Sequence, residues 1–467
     1  MEKDLVIIGG GFGGYVAAIR GAQLGAKVTL IERNKLGGTC LNRGCIPTKA
    51  LYKNAQFIES MNHSSEFGVD INGFSFNYEK IQERKNSIVS KLTSGVGQLL
   101  MGNGVEVVEG SGSIIDKNKV KVIDKANNIR LITTKNILIA TGSKSSIPPI
   151  PGTDLEGVIT SDDLLDMGSV PKSITIIGGG VIGIEFASIF NSFGSKVTII
   201  EFMPSILPLI DGEIVKELTS ILRKKGIKIE TGAKVKKISK DKDKLRVIAE
   251  GENGEFQVEC ETVLLSTGRE LDDGGLNLKN LGIIYDKKGI KVDKNYCTSI
   301  SGIYAIGDSI GGIMLAHVAS EEGKVAVENM MGLKTYIDYD IIPSCVFTFP
   351  EIAAVGITED QAKAKGISYK VSKFMFSWNG KALTMGESEG FIKIIASADE
   401  KEILGAHIMG PCASDLIHEA VLAMKNMISI DEIATTIHAH PSLSEAFLEA
   451  ITGVEGRAIH MAPVKRV

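Results

Sequence analysis

Short apolar runs recur along the chain and alternate with stretches of helical periodicity. Asp4–Gly9 (DLVIIG) is a continuous apolar run of strand length, which predicts a strand buried on both faces. Phe12 to Gly25 carries apolar residues at helical spacing, and Lys27–Glu32 (KVTLIE) predicts the next strand. The same unit returns as Ser173–Gly178 (SITIIG), Val181 to Gly194 and Lys196–Glu201 (KVTIIE). In both copies the first glycine and the strand-ending glutamate are 23 positions apart. A strand, a crossover helix and a parallel strand, twice over, predict two doubly wound nucleotide-binding domains.

Three further apolar strands end in glycine turns. Asn136–Ala140 (NILIA) runs into Thr141-Gly142-Ser143, Thr262–Ser266 (TVLLS) into Thr267-Gly268-Arg269, and Gly302–Ile306 (GIYAI) into Gly307-Asp308. The proline-rich stretch Ile147 to Gly152 (IPPIPG) marks a linker between the two copies. From about Asp338 onward strands and amphipathic helices alternate without a glycine fingerprint. The expected architecture is α/β throughout. Two Rossmann-like domains are expected at 1–150 and 151–270, a central domain at 271–337 and a separate C-terminal α/β domain at 338–467.

Composition narrows the function classes. The 467 residues are 43% hydrophobic and 23% charged, with a net charge of −4. No Lys/Arg-rich run interleaves with aromatics, so nucleic acid is not an expected partner. The longest apolar stretch, Ser173 to Phe190, holds four glycines and a central Glu185, which fits a buried strand–turn–helix rather than a membrane span. A strand begins within the first five residues, so no leader peptide is expected and the cytoplasm is the expected compartment. Six cysteines are too few for a disulfide-built secreted scaffold. Cys260, Cys297, Cys345 and Cys412 stand isolated, as ordinary reduced thiols do.

The first candidate chemistry lies in the glycine patterns. Gly9-x-Gly11-x-x-Gly14 and Gly178-x-Gly180-x-x-Gly183 each follow a strand and open a helix. The first glycine allows the tight turn, the second lets the backbone approach a pyrophosphate, and the third lets the helix pack closely on the strand. The helix N-terminus then offers free N–H groups to the phosphates. Glu32 and Glu201 each lie 18 residues after the third glycine, placed to hydrogen-bond a ribose hydroxyl. Two such sites predict two dinucleotides. Glu201 is followed by Phe202 and Met203 rather than by an arginine, which favours NAD over NADP at the second site.

Cys40 and Cys45 lie in GGTCLNRGC, residues 37–45, ahead of a helical stretch from Pro47 to Met61. Neither four-ligand zinc spacing nor a Cys/His quartet accompanies them. In a regular helix, positions five apart point about 140° apart, so the chain near Gly44 must distort for the sulfurs to meet. A disulfide closing so small a loop stabilises little, which argues against a staple. Pro47 suits a first helical turn. Cys45 then sits near a helix N-terminus, where a thiol pKa is lowered, and Arg43 could add to that. A redox-active pair explains these features better than a structural one.

Together these residues resemble the flavoprotein disulfide reductases of the pyridine nucleotide-disulfide oxidoreductase family, and within them the dihydrolipoyl dehydrogenases. The resemblance covers nearly the whole chain. It takes in both fingerprints, the cysteine segment, the Thr-Gly turns, YAIGD at 304–308, FTFPEIAAVG at 347–356 and HAHPSLSE at 438–445. It implies FAD in 1–150, NAD in 151–270, a central domain completing the FAD site, and a C-terminal domain forming a homodimer interface. Cys45 would face the flavin and Cys40 would exchange with substrate. Lys49, paired with Glu185, would lie beside the flavin. His440, oriented by Glu445, would be the base, acting in the active site of the partner subunit. Gly9, Gly11, Gly14, Glu32 and Arg33 would border FAD, with Gly38, Thr39 and Gly112. Thr141, Gly142 and Ser143 would join them, as would Asp308 and the run Met314, Leu315, Ala316, His317. Gly178, Gly180, Val181, Ile182 and Gly183 would border NAD, with Glu185, Glu201, Val235 and Gly268.

The implied reaction oxidises dihydrolipoamide to lipoamide and reduces NAD⁺ to NADH. The lipoyl group would arrive on another chain, a lipoyl domain of an E2 acyltransferase or the glycine cleavage H protein. Histidine suits proton removal from a thiol near neutral pH. His438 is the nearest rival to His440, and a helix-flanking loop position accounts for it. A disulfide or mercuric reductase running on NADPH is opposed by Glu201 and by the absence of a C-terminal vicinal cysteine pair. A flavoprotein that senses NADH without turnover is opposed by the complete thiol, lysine and histidine set. Three departures remain. Ser442 replaces a common threonine, Arg43 occupies a position often small and apolar, and Glu270-Leu271-Asp272-Asp273 replaces a proline-containing run, leaving the loop after Arg269 open.

Overall fold

The computed structural model describes residues 2–462 apart from 243 and 400. The first repeat forms β1 (Lys3–Ile8), α1 (Phe12–Gln23) and β2 (Val28–Glu32). The cysteine segment forms two helices, α2 (Gly38–Arg43) and α3 (Cys45–Asn62). After α4 (Tyr78–Gly102) come β3 (Glu106–Glu109), β4 (Ser111–Asp116), β5 (Lys119–Ile123) and β6 (Ile129–Ile139). β1 pairs in parallel with β2 and β6, β2 pairs in parallel with β3, and β5 and β4 continue the sheet antiparallel. Strand Ile303–Ala305 adds to β6 in parallel, so a segment beyond the second repeat completes the first sheet. Val6, Ile7 and Leu138 are fully buried, as the continuous apolar runs require of strands covered on both faces.

β7 (Ser143–Ser145) and β8 (Val158–Thr160) lead into the second repeat. There follow α5 (Ser161–Leu165), β9 (Ser173–Ile177), α6 (Val181–Ser192), β10 (Lys196–Ile200), α7 (Gly212–Lys224) and β11 (Lys228–Glu230). β11, β10, β9, strand Thr262–Leu265 and β8 form an all-parallel sheet in that order. An antiparallel meander, Lys234–Asp241 to Gly254–Cys260, packs on it through Val247 and Val263. The C-terminal segment is a five-stranded antiparallel sheet. Helices Ala413–Lys425 and Ser444–Gly453 pack on this sheet. Among the described residues, no helix is long and apolar enough to cross a membrane.

The duplication holds at atomic detail. Gly9 has a φ of +107° and Gly178 one of +112°. A Cβ on Gly14 would lie 1.9 Å from the Gly9 oxygen, and one on Gly183 would lie 2.1 Å from the Gly178 oxygen. Side chains cannot occupy these turns, so glycine is required at both levels. Helix Ala316–Met330 also packs tightly on α1, since a Cβ on Gly323 would lie 2.6 Å from the Gly13 oxygen.

Candidate active site

A single continuous cavity of about 2430 Å³ is lined by both glycine fingerprints, both cysteines and the turns that follow β6 and strands Thr262–Leu265 and Ile303–Ala305. Of the residues singled out from the sequence, Gly14, Gly183, His440 and Glu445 are not part of its lining. The two glycines sit behind the wall, where they close the helix onto the strand.

The break between α2 and α3 falls at Gly44, with φ −143° and ψ −116°. α3 begins at Cys45, ahead of Pro47, so the sulfur stands at the positive end of the helix. The two side chains meet across the break, and Cys40 donates a hydrogen bond to Cys45. That bond is the main cause lowering Cys45 to about 7, with the Lys49 ammonium adding to it and burial and the Glu185 carboxylate opposing. The same bond, together with burial, pushes Cys40 up. The helix start and the Lys49 ammonium thus favour the thiolate on Cys45 rather than on Cys40. The segment is clamped to the first fingerprint. Gly37 N–H donates to the Gly10 oxygen at 2.8 Å, and a Cβ on Gly38 would lie 2.6 Å from Gly11 Cα.

One turn into α3, Lys49 Nζ donates to both carboxylate oxygens of Glu185 at 2.9 Å. Glu185, on α6, is only 5% exposed. It also accepts from the Phe347 N–H at 3.0 Å, and Lys49 lies 4.4 Å from the centre of the Phe347 ring. The first nucleotide-binding repeat, the second repeat and the C-terminal segment thus meet at one ion pair beside Cys45.

The two strand-ending glutamates are held alike. Glu32 accepts from the N–H groups of Gly10 and Asn34, each at 2.7 Å. Glu201 accepts from those of Gly179 and Met203. Each carboxylate is thereby fixed at the rim of its fingerprint with lone pairs left for a diol. Thr141 Oγ1 lines the first half of the cavity, buried and without a partner among the described residues. With the bare backbone of Gly11 and Gly38, that leaves an open hydrogen-bonding position and a cradle for a dinucleotide. Ser143 Oγ donates to Asp308 at 2.5 Å, which orients the Asp308 carboxylate at the same site.

His440 lies outside the cavity. Its Nδ1 is 2.8 Å from Glu445 Oε1, and its side chain is 81% exposed. Glu445 is bound again by the Ser442 N–H at 2.7 Å and is held below the usual carboxylate range by these bonds against its burial. His438 is half-buried and bridged to Glu419 at 2.7 Å and to the Thr436 oxygen at 2.9 Å.

Sequence reasoning missed several contacts at this site. Arg269 donates to Ser143 Oγ and to the Ser143 oxygen at 2.6 and 2.7 Å, and lies 3.6 Å from Asp308. Strand Arg269–Leu271 pairs antiparallel with β7, which settles the open loop: Asp272 turns back to the first domain and bonds Arg33. Arg43 reaches Asp162 of α5 at 3.4 Å. Glu322 accepts from the Gly307 N–H at 2.6 Å and from Tyr339 at 2.7 Å, bracing the turn that carries Asp308. No local motif signals these contacts, because each joins segments remote in the chain.

The model of the pyridine nucleotide-disulphide oxidoreductase family matches residues 3–323, and the model of its dimerisation domain matches residues 342–451. The chain belongs to this family, as a flavoprotein oxidoreductase that binds FAD and NAD(P) and carries the homodimer-forming domain. Curated relatives that it matches include dihydrolipoyl dehydrogenases. One from Bacillus subtilis is 45% identical, with 98% of this chain and 99% of the relative covered. One from Chlamydia muridarum is 41% identical over 99% of both. Among solved structures, LpdA from Mycobacterium tuberculosis superposes with a TM-score of 0.90 at 25% identity, covering 97% of this chain and 99% of that one. The HOCl-induced flavoprotein disulfide reductase RclA from Escherichia coli, solved as a Cu(II) complex, gives 0.88 at 30% identity, covering 97% and 100%.

Proposed function

We propose that the chain is a dihydrolipoyl dehydrogenase, oxidising protein-bound dihydrolipoamide to lipoamide with reduction of NAD⁺ to NADH and release of one proton. The observation that carries this reading is the Cys40 and Cys45 pair at the start of α3, beside the Lys49–Glu185 ion pair and in the same cavity as two dinucleotide fingerprints. A substrate thiolate attacks Cys40 Sγ and the Cys40–Cys45 bond breaks. Cys45 is the better leaving group, because its thiol is the more acidic of the two. The second substrate thiol gives its proton to His440 of the partner subunit and attacks the first substrate sulfur. That step closes the lipoamide disulfide and frees Cys40, which takes up a proton. FAD at the first fingerprint supplies the two-electron path from Cys45 to NAD⁺. Lys49, paired with Glu185, keeps a positive charge beside that path, and Glu445 holds the imidazole.

Glu201, fixed by two backbone N–H groups, favours the ribose diol of NAD over a 2′-phosphate. The domain division that goes with this reading is 1–150 for FAD, 151–270 for NAD, 271–337 as central and 338–467 as interface. The partners are lipoyl domains of E2 acyltransferases or the glycine cleavage H protein, in the cytoplasm. Anaerobic mixing of the FAD-loaded protein with dihydrolipoamide and then NAD⁺ tests the reading. NADH should form in stoichiometric amount. Absence of NADH, or a strong preference for NADP⁺, would overturn it.

A further inference from the structure

Lys393 lies within strand Phe391–Ser397 of the C-terminal sheet, with 1% of its side chain exposed. Lysines are almost never buried so fully unless paired. Its Nζ donates to Asp211 Oδ1 and Oδ2 at 3.1 and 3.2 Å and to Glu359 Oε2 at 2.7 Å, with Glu213 3.6 Å away. These partners belong to different parts of the molecule. Glu359 opens helix Glu359–Lys365 beside the C-terminal sheet, whereas Asp211 caps α7 of the second nucleotide-binding repeat, accepting from the Glu213 N–H at 3.1 Å. The Glu359 N–H also reaches Asp211 Oδ2, at 3.4 Å. No step of the proposed reaction uses this cluster.

Asp211 ends a loop that begins just after Glu201. Phe202, Leu207, Pro208, Leu209 and Ile210 of that loop line the cavity. Leu207, at a φ of +46°, donates its N–H to the Gly179 oxygen at 2.9 Å, inside the second fingerprint. The loop is therefore anchored at one end by Glu201 and at the other by Asp211 on Lys393.

We infer that Lys393 is a positioning residue for the nicotinamide dinucleotide: through Asp211 it fixes the far end of the loop that walls the second fingerprint, and it ties that wall to the dimerisation domain. The inference rests on the proposed use of this fingerprint for NAD. Lys393→Met keeps most of the apolar stem and removes the ammonium. The dissociation constant for NAD⁺, measured by calorimetry on the oxidised FAD-loaded dimer, should rise about tenfold, as should KM for NAD⁺, with kcat within about twofold. The rate of reduction by dihydrolipoamide alone should not change. Lys393→Arg, which keeps the charge, should recover most of the affinity. A dissociation constant within about twofold of wild type, or an equal loss in the dihydrolipoamide half-reaction, overturns the inference. If Lys393→Met does not fold, Asp211→Asn carries the same test, since asparagine still caps α7 but lacks the charge. It should weaken NAD⁺ about threefold, and unchanged affinity overturns the inference. A wild-type protein that binds no NAD⁺ overturns the underlying functional reading, a result separable from any of these.

Discussion

Replacing Lys49 by methionine and Glu185 by glutamine should move the acidity of Cys45 in opposite directions. In the reduced pair Cys45 stands at about 7, lowered by Lys49 and raised by Glu185. A charge within about 4–6 Å moves a pKa by about 1–3 units. Taken at the low end of that range, each charge moves Cys45 by about one unit. A thiol ionises as pH rises. Lys49→Met, which lifts the midpoint to about 8, thus cuts the thiolate fraction at pH 7 from about a half to about a tenth. Glu185→Gln brings the midpoint to about 6 and raises the fraction to about nine tenths. The long-wavelength absorbance of a thiolate against FAD, followed anaerobically in the reduced protein from about pH 5 to 9, reads the midpoint directly. Midpoints moving the same way, or an unmoved Lys49→Met, would refute the assigned geometry. Stability should be asymmetric as well. Lys49→Met strands a Glu185 that is 5% exposed with the Phe347 N–H as its remaining donor, and leaving a buried charge unpaired costs about 3–5 kcal/mol. Glu185→Gln leaves Lys49, 29% exposed, free to turn toward the cavity, so it should unfold at higher denaturant than Lys49→Met.

Cys45→Ser should abolish the long-wavelength absorbance of the reduced protein while Cys40→Ser retains it, and the reverse result would exchange their roles. His440→Gln should lower turnover about 10²–10⁴-fold with FAD content and dimer intact, as loss of a general base does; near-normal turnover removes His440 from the mechanism. Gly14→Ala and Gly183→Ala should separate the two sites, because each Cβ would meet a backbone oxygen at 1.9 or 2.1 Å. The first should purify without FAD, and the second should keep FAD but lose NAD⁺ binding by calorimetry. Retention of FAD by Gly14→Ala would unseat the first fingerprint.

What was legible in the sequence is what local physics enforces. The runs LVII and ITII must be buried on both faces, and the glycines at 9, 14, 178 and 183 must lack a Cβ, so the duplicated βαβ unit could be read without any contact information. The distortion at Gly44 followed from helix periodicity alone. Its form did not: α2 is a helix in its own right, and α3 starts at Cys45 rather than at Pro47. What local pattern cannot show is closure across the chain. Strand Ile303–Ala305 joins β6, and Arg269 reaches Ser143 and Asp308, because the chain returns from the second repeat onto the first. The same holds for Lys393, which by sequence is one more charged residue in a strand, and for Arg43. The Arg43–Asp162 pair is 46% and 35% exposed, so it contributes at most about 1 kcal/mol.

His440 completes the argument by where it is not. One chain gathers two thiols, an ion pair and two dinucleotide cradles around a single cavity, yet it leaves the imidazole exposed and outside the lining, already hydrogen-bonded to Glu445. One ring nitrogen is held by a carboxylate and the other has no hydrogen-bond partner among the described residues, an arrangement that suits proton transfer. A base must come within about 3 Å of the thiol it serves, directly or through one water. Among the described residues, no histidine–carboxylate hydrogen bond lies within the cavity lining. The C-terminal segment that carries His440 is also the one matched by the dimerisation domain. If His440 is the base, as proposed, the matched dimerisation domain is what would bring it to the cavity of a second subunit. On the proposed reading a second copy of the chain takes part in the chemistry, and a monomeric variant should bind FAD yet exchange thiols with dihydrolipoamide slowly.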